Sequence, residues 1–138
     1  MSINLLVVGA SAGGVAALGS LVRGLPASFN AAVLVVLHTS ADGPYMLPEI
    51  LSNAGVLRAE KVADGEPIEH GRIYVAPPDK HLLVGEGRIS LSRGPKENRA
   101  RPAIDPLFRT AAAACGARVV GLILTGMLND GTAGLKAV

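Results

Sequence analysis

Asn4-Leu5-Leu6-Val7-Val8-Gly9-Ala10-Ser11-Ala12-Gly13-Gly14-Val15 is the stretch that decides the fold of this chain. Its four apolar residues from Leu5 to Val8 predict a strand buried on both faces, and the glycines from Gly9 to Gly14 predict a turn that ends the strand. Apolar residues then recur every three to four positions and predict a helix that lies back on the sheet: Val15, Leu18, Leu21 and Val22.

Two known turns fit this strand-glycine-helix pattern. The dinucleotide-binding turn G-x-G-x-x-G needs a glycine where this chain has Ser11. The turn G-x-S-x-G, which pushes a serine out at the C-terminal edge of a sheet, matches Gly9-Ala10-Ser11-Ala12-Gly13 at every fixed position. Small neighbours are expected because larger side chains would crowd the turn and hide the hydroxyl. A serine that merely caps the helix is the structural alternative.

A second apolar strand is predicted over residues 31 to 37, and His38 follows it directly. Because a helix separates the two strands, they should be parallel, with their carboxyl ends at the same edge of the sheet. A dinucleotide-binding fold would typically have an acidic residue near the position of His38. Ser11 and His38 are therefore expected at one edge, where open α/β sheets place their sites.

The rest of the chain predicts a three-layer, doubly wound α/β fold with a mainly parallel sheet. A short helix is expected over residues 44 to 51, and a longer one over residues 103 to 115. Residues 58 to 93, with glycines at 85 and 87, predict short strands and hairpin turns, interpreted as an antiparallel β-hairpin excursion at the edge of the parallel sheet. Residues 118 to 124 predict another buried parallel strand.

Composition limits the class of protein. The 138 residues are 49% hydrophobic and 17% charged, which suits one globular domain with a single core. No apolar run is long enough to cross a bilayer and no secretory signal precedes the first strand, so the cytoplasm is expected. The lone Cys115 and the scattered His38, His70 and His81 predict no metal site, and the last two are expected to be satisfied surface residues.

Charge is distributed unevenly along the chain. Of 13 basic residues, only Arg23 precedes residue 58, while Arg88, Arg93, Lys96, Arg99 and Arg101 lie close together. An acidic partner surface is one interpretation, and an ordinary solvated hairpin and loop is the other. Nucleic acid is disfavoured as a partner because aromatic residues for base stacking are only 3% of the chain.

Asp130 follows the last predicted strand and precedes another helical stretch. It could cap that helix, but it could also be the third polar group that a βα loop delivers to the carboxyl edge. A serine, a histidine and an aspartate at one place supply a nucleophile, a general base and an orienting carboxylate. Backbone N–H groups near Ala12 and Met127 would then stabilise an oxyanion.

Five ordered motifs resemble the CheB-type protein-glutamate methylesterases of bacterial chemotaxis: residues 9–14, 37–38, 71–81, 101–105 and 125–131. The resemblance implies hydrolysis of glutamyl γ-methyl esters on chemoreceptors, with release of methanol, and deamidation of receptor glutamines. It implies Ser11 as nucleophile, His38 as base, Asp130 as orienting acid and Met127 as an oxyanion donor. It implies no cofactor, and methylated chemoreceptor helices or another methylated protein as the partner. Because those helices are acidic, the basic cluster could steer them.

The chain departs from the usual family pattern at both ends. Chemotaxis members usually carry an N-terminal receiver domain, whereas Met1 lies directly before the first strand here, which leaves room for a separate regulatory receiver protein. Members also continue for several tens of residues beyond the position of Val138. We therefore expect one methylesterase-like catalytic domain over residues 1–138 that is short at its C-terminus. A truncated or degenerate binding domain and a nucleotide-binding module are the alternatives.

Overall fold

A computed structural model describes residues 3–39, 42–124 and 138. The helices are α1 (Val15–Arg23), α2 (Leu47–Ala54) and α3 (Ile104–Cys115), and short 3₁₀ turns cover Ala12–Gly14 and Gly116–Arg118. The strands are β1 (Leu5–Ala10), β2 (Ala32–Leu37), β3 (Arg58–Lys61), β4 (Arg72–Val75), β5 (His81–Gly85), β6 (Arg88–Ser92) and β7 (Val119–Leu124).

Five of the strands form one parallel sheet in the order β3-β4-β2-β1-β7. The chain runs outward from β1 to β2 in one direction, and β7 later pairs with the opposite side of β1. The strand order therefore reverses beside β1, which is where doubly wound sheets open a crevice at their carboxyl edge. Ser11, the residue after β1, lies at this position.

Helices cover both faces of this sheet. Successive side chains of a strand point to opposite faces, so Leu5 and Val7 join one core cluster while Val8 and Ala10 join the other. The first cluster contains residues of α3 and of the β5–β6 hairpin, and the second contains residues of α1 and α2. This arrangement confirms the predicted three-layer α/β fold with a mainly parallel sheet.

The region from residue 58 to residue 93 differs in part from its prediction. Only β5 and β6 form the antiparallel hairpin, and they make a separate two-stranded sheet. Strand β4 instead lies inside the parallel sheet, between β2 and β3, because Ile73 to Ala76 are buried and need neighbours on both sides. Strand β3 is an edge strand whose charged residues hide its pattern, since Ala59 is its only buried residue.

Helix α2 begins three residues later than predicted. The helix starts at Leu47, and Pro48 occupies its first turn, where a missing N–H breaks no intrahelical hydrogen bond. The preceding residues 44 to 46 belong to a loop that crosses the carboxyl edge of the sheet. Residues that the sequence assigned to a helix are thereby available to shape the site.

Candidate functional site

Ser11 lies on a tight turn between β1 and α1. Its backbone is extended (φ −90°, ψ 173°), and its carbonyl accepts a hydrogen bond from the Gly14 N–H at 2.8 Å, which closes the turn. The half-buried Ser11 side chain makes no capping hydrogen bond to the 3₁₀ helix that follows. The turn therefore positions the hydroxyl without using it as a cap, unlike the capping serine that the sequence left open.

Gly9 is required by close packing at the end of β1. A Cβ atom at this position would lie 2.5 to 2.7 Å from three side-chain atoms of Ile104, the first residue of α3. Gly13 is different, since a Cβ atom there would meet no described atom within 4 Å. The clash at Gly9 is thus with α3 and not with the serine turn, and the expectation that larger neighbours would hide the hydroxyl stays a prediction.

His38 is brought next to the Ser11 turn by the pairing of β1 with β2. Ala10 pairs with Leu37, and the His38 N–H donates a hydrogen bond to the Ala10 carbonyl at 2.9 Å. Residues 11 and 38 are thus the first residues after two adjacent parallel strands that end at the same level. The half-buried imidazole and the serine share one edge of the sheet, as the sequence predicts.

The other predicted site residues are only partly covered by the structure. Asp130 and Met127 lie outside the described residues, so their proposed roles remain predictions. Ala12 is described through its backbone alone, as the first residue of the 3₁₀ turn. Strand β7 ends at Leu124, which pairs with Ala10, so the chain leaves β7 at the same edge that carries Ser11 and His38.

An apolar groove adjoins the candidate site on the side of α1 and α2. Its volume is about 140 Å³, and its walls include Leu37 and Thr39, the two neighbours of His38. Met46 and Ile50 form an exposed apolar lip, with 49% and 44% of their surface accessible. The remaining wall residues are Val15, Pro44, Tyr45, Leu47, Val75, Ala76 and Pro78. The groove can therefore hold apolar atoms of a ligand beside the end of β2, next to residue 38.

Tyr45 fixes the loop that forms this groove. Its hydroxyl donates to the Val75 carbonyl and accepts a hydrogen bond from the Val62 N–H at 3.2 Å. The pKa of the Tyr45 hydroxyl is raised, mainly by burial, so the hydroxyl is protonated at neutral pH and can donate its hydrogen bond. The Lys61 ammonium lies 5.7 Å from the centre of the ring.

An ion pair lies on the other side of the candidate site, between the loop after β4 and the loop before α3. Arg101 Nε donates a hydrogen bond to Asp79 Oδ1 at 2.8 Å, and Arg101 Nη2 lies 2.7 Å from the same oxygen. Asp79 has a left-handed backbone (φ 63°), which is uncommon outside glycine but tolerated by aspartate. The paired guanidinium lowers the pKa of the Asp79 carboxyl, so the pair stays charged at neutral pH.

His81 is buried, contrary to the surface role that the sequence predicted for it. Only 3% of the residue is accessible; Nε2 lies 2.8 Å from the Pro95 carbonyl, and Nδ1 accepts a hydrogen bond from the Ala103 N–H at 3.2 Å. This pattern requires the neutral Nε2–H tautomer. His81 therefore ties both ends of the loop before α3 to β5, although sequence spacing gave no signal for this contact.

His70 matches its predicted role as a satisfied surface residue. It is exposed, its Nε2 accepts a hydrogen bond from the Asn4 N–H at 3.1 Å, and its Nδ1 lies 3.1 Å from the Asn30 side-chain oxygen. These partners flank the amino ends of β1 and β2, away from Ser11.

Cys115, at the far end of α3, packs partly against the core. Burial raises the pKa of its thiol, which disfavours the nucleophilic thiolate.

Residues 3–39, 42–124 and 138 show neither a metal site nor a membrane span. Within those ranges, no three His, Cys, Asp or Glu side chains gather closely enough to hold a metal ion. No helix in the same ranges has the length and hydropathy needed to span a bilayer.

Fold and site together define a doubly wound α/β protein with a serine turn and an adjacent histidine at its carboxyl edge. The serine lies beside the point where the strand order reverses, in a G-x-S-x-G context. The chain belongs to the CheB methylesterase family, whose family model matches residues 6–138.

Several known proteins are similar to this chain. A relative from Anaeromyxobacter dehalogenans, named protein-glutamate methylesterase/protein-glutamine glutaminase 2, is 38% identical over 136 residues, which are 99% of this chain and 40% of the relative. A relative from Leptospira interrogans, named as a putative enzyme of the same kind, is 36% identical over all of this chain and 72% of its own length. The chain spans about 40% of the length of the first curated relatives that it matches.

A solved structure agrees with the fold. The catalytic domain of the Thermotoga maritima CheB methylesterase has a TM-score of 0.91 and 33% sequence identity. The match covers all of this chain and 75% of that one.

Proposed function

We propose that this chain is a serine hydrolase of protein side chains, cleaving glutamyl γ-methyl esters to glutamate and methanol and deamidating glutamines to glutamate. The observation that carries the proposal is the pairing of β1 with β2, in which the His38 N–H bonds to the residue before Ser11. The names of its relatives, which pair methylesterase with glutaminase, support the same chemistry.

In the proposed mechanism Ser11 Oγ attacks the γ-carbonyl carbon of the substrate while His38 takes the serine proton. The resulting oxyanion is stabilised by the backbone N–H groups of Ala12 and Met127, worth about 2.7–4 kcal/mol for each donor in a well-studied protease. As the intermediate collapses to an acyl-serine, His38 gives its proton to the leaving oxygen of the ester, whose C–O bond breaks to release methanol, or to the leaving nitrogen of a glutamine, whose C–N bond breaks to release ammonia. Water hydrolyses the acyl-serine by the same steps, and Asp130 holds the imidazole in the required tautomer.

The wider biological setting belongs to the same proposal. Methylated cytoplasmic helices of chemoreceptors, or another methylated protein, are the proposed substrates, and the cytoplasm is the proposed location. A separate receiver protein is the proposed regulatory partner. The chemistry uses a side-chain nucleophile and a side-chain base, so no cofactor is proposed.

A serine-directed fluorophosphonate tests the proposed nucleophile. The wild-type chain should be labelled at Ser11, and Ser11→Ala should abolish both the labelling and methanol release, the latter by about 10⁴-fold or more. Ser20→Ala is a matched control, because Ser20 is an exposed serine on α1, away from the turn. Labelling that persists in Ser11→Ala would reject Ser11 as the nucleophile.

A further inference from the structure

Residues 93–101, here called the cationic loop, connect β6 to α3 and are held by hydrogen bonds along their length. Arg101 forms an ion pair with Asp79 through Nε and Nη2. Its Nη1 donates hydrogen bonds to the carbonyls of Arg93 at 3.3 Å and Gly94 at 3.2 Å. Only 21% of the Arg101 side chain is accessible. One guanidinium therefore joins the start of the loop, its end and the segment after β4.

Two further contacts hold the middle of the cationic loop on α3. The Glu97 carboxylate accepts two hydrogen bonds from the Arg109 guanidinium, both at 3.1 Å. The Asn98 side-chain amide donates to the Asp105 carboxylate at 2.8 Å, and Asp105 is almost fully buried. These contacts give the loop a defined backbone shape, so the points from which its surface side chains project are set by the fold.

The loop presents more positive than negative charge. Its two ion pairs among the described residues use Arg101 with Asp79 and Glu97 with Arg109. The three other cationic residues of the loop are all exposed: Arg93, Lys96 and Arg99. Arg93 and Lys96 are near enough to help lower the pKa of the Asp79 carboxyl, after the larger effect of Arg101. Arg93 and Lys96 therefore add to one local positive field around the Asp79–Arg101 pair.

That field lies at the edge that carries the candidate site. Asp79 follows the carboxyl end of β4, the strand that pairs with β2, and His38 follows β2. At the other end of the loop, Ile104 packs on Gly9, two residues before Ser11. The loop thus borders the Ser11–His38 edge on the α3 side, while the apolar groove borders it on the α1 and α2 side.

We propose that the cationic loop is a docking surface for acidic residues that flank the esterified glutamate in the substrate protein. The proposal rests on the proposed function and adds a substrate class to it, an anionic protein segment. Hydrolysis itself turns a neutral ester or amide into a carboxylate, so a segment with several such sites becomes more anionic with each turnover. Cations at the rim of an interface mainly speed association, and their effect weakens with salt.

Two synthetic peptides test the loop. Both carry the same central glutamyl γ-methyl ester, flanked either by aspartates and glutamates or by serines and asparagines. Arg93→Glu/Lys96→Glu should raise KM for the acidic peptide about 10-fold at low salt and leave kcat unchanged. The same variant should leave kcat and KM for the neutral peptide unchanged. Its KM for the acidic peptide should change less with salt concentration than the KM of the wild-type protein does.

A matched control carries the same change in net charge at the other end of the molecule. Arg23 ends α1 and Arg118 precedes β7, both exposed at the amino edge of the sheet. Arg23→Glu/Arg118→Glu should process both peptides like the wild type. An equal rise in KM for both peptides, or the same rise in the control variant, would overturn the docking proposal.

Two further outcomes distinguish failure of the docking proposal from failure of the proposed hydrolase. Absence of methanol from both peptides, together with absent fluorophosphonate labelling of Ser11, would reject the hydrolase. Binding of a DNA oligonucleotide that is lost in Arg93→Glu/Lys96→Glu, while that variant keeps the wild-type KM for the acidic peptide, would assign the loop to nucleic acid and reject an acidic protein segment as its ligand.

Discussion

Replacing Gly9 with alanine should destabilise the protein through one contact. The new Cβ would lie 2.5, 2.6 and 2.7 Å from Cγ2, Cδ1 and Cγ1 of Ile104, whereas carbon atoms in contact prefer about 3.5–4.0 Å. Ile104 is 1% accessible and lies in the core cluster of the α3 face, so it has little room to move. Overpacking of this kind costs about 1–3 kcal/mol.

Gly13→Ala is the matched control for this prediction. Both changes remove a glycine from the unfolded chain, which stabilises a protein by about 0.4–1 kcal/mol where the backbone tolerates alanine. Gly13 lacks the steric clash, because no described atom lies within 4 Å of the place that its Cβ would take. The difference in unfolding free energy between the two variants should therefore be about 1–3 kcal/mol, with Gly9→Ala the less stable.

Urea unfolding followed by circular dichroism measures this difference. Ile104→Val removes Cδ1, one of the three clashing atoms, and should cost less stability in the Gly9→Ala background than in the wild type. Equal stabilities of Gly9→Ala and Gly13→Ala would refute the packing argument. So would a double mutant whose loss equals the sum of the two single losses.

Three other changes test the contacts around the site. Asp79→Asn should lose stability at neutral pH, because it removes the charge that pairs with Arg101. Arg101 lowers the folded pKa of Asp79, so the stability from this ion pair is fully present above about pH 4 and is lost as the pH falls through the lowered pKa. Urea titrations should therefore show the difference in stability from the wild type closing in acid. A gap that does not narrow as the pH falls below about 4 would contradict this. His81→Leu should cost about 1–3 kcal/mol for each unpaired group, the Ala103 N–H among them, and unchanged thermal stability would rule out this tie. Tyr45→Phe should lower stability by about 1–2 kcal/mol, measured by urea unfolding, because two backbone groups lose their partner; no loss would count against the loop anchor.

The sequence alone determined the layered fold and the placement of Ser11 and His38 at one edge of the sheet. Continuous apolar runs, typical of strands covered on both faces, predicted β1, β2 and β7 as buried parallel strands; all three are parallel and β1 and β2 are buried, but Val119 is the only buried residue of β7. From that, the order strand, helix, strand was enough to place Ser11 and His38 at one edge. The G-x-S-x-G pattern distinguished the turn from a dinucleotide-binding one, since Ser11 stands where a glycine is needed.

Tertiary structure alone decided which polar residues meet. The sequence indicates a surface histidine at His81, yet this residue is buried because residues 95 and 103, distant in sequence, supply its hydrogen-bond partners. The basic cluster looks like one feature in the sequence, but Arg101 pairs with Asp79 and Arg88 binds the Gly65 carbonyl. Sequence periodicity reports burial and local conformation, whereas partners across loops depend on how separate segments pack, and only the folded chain fixes that.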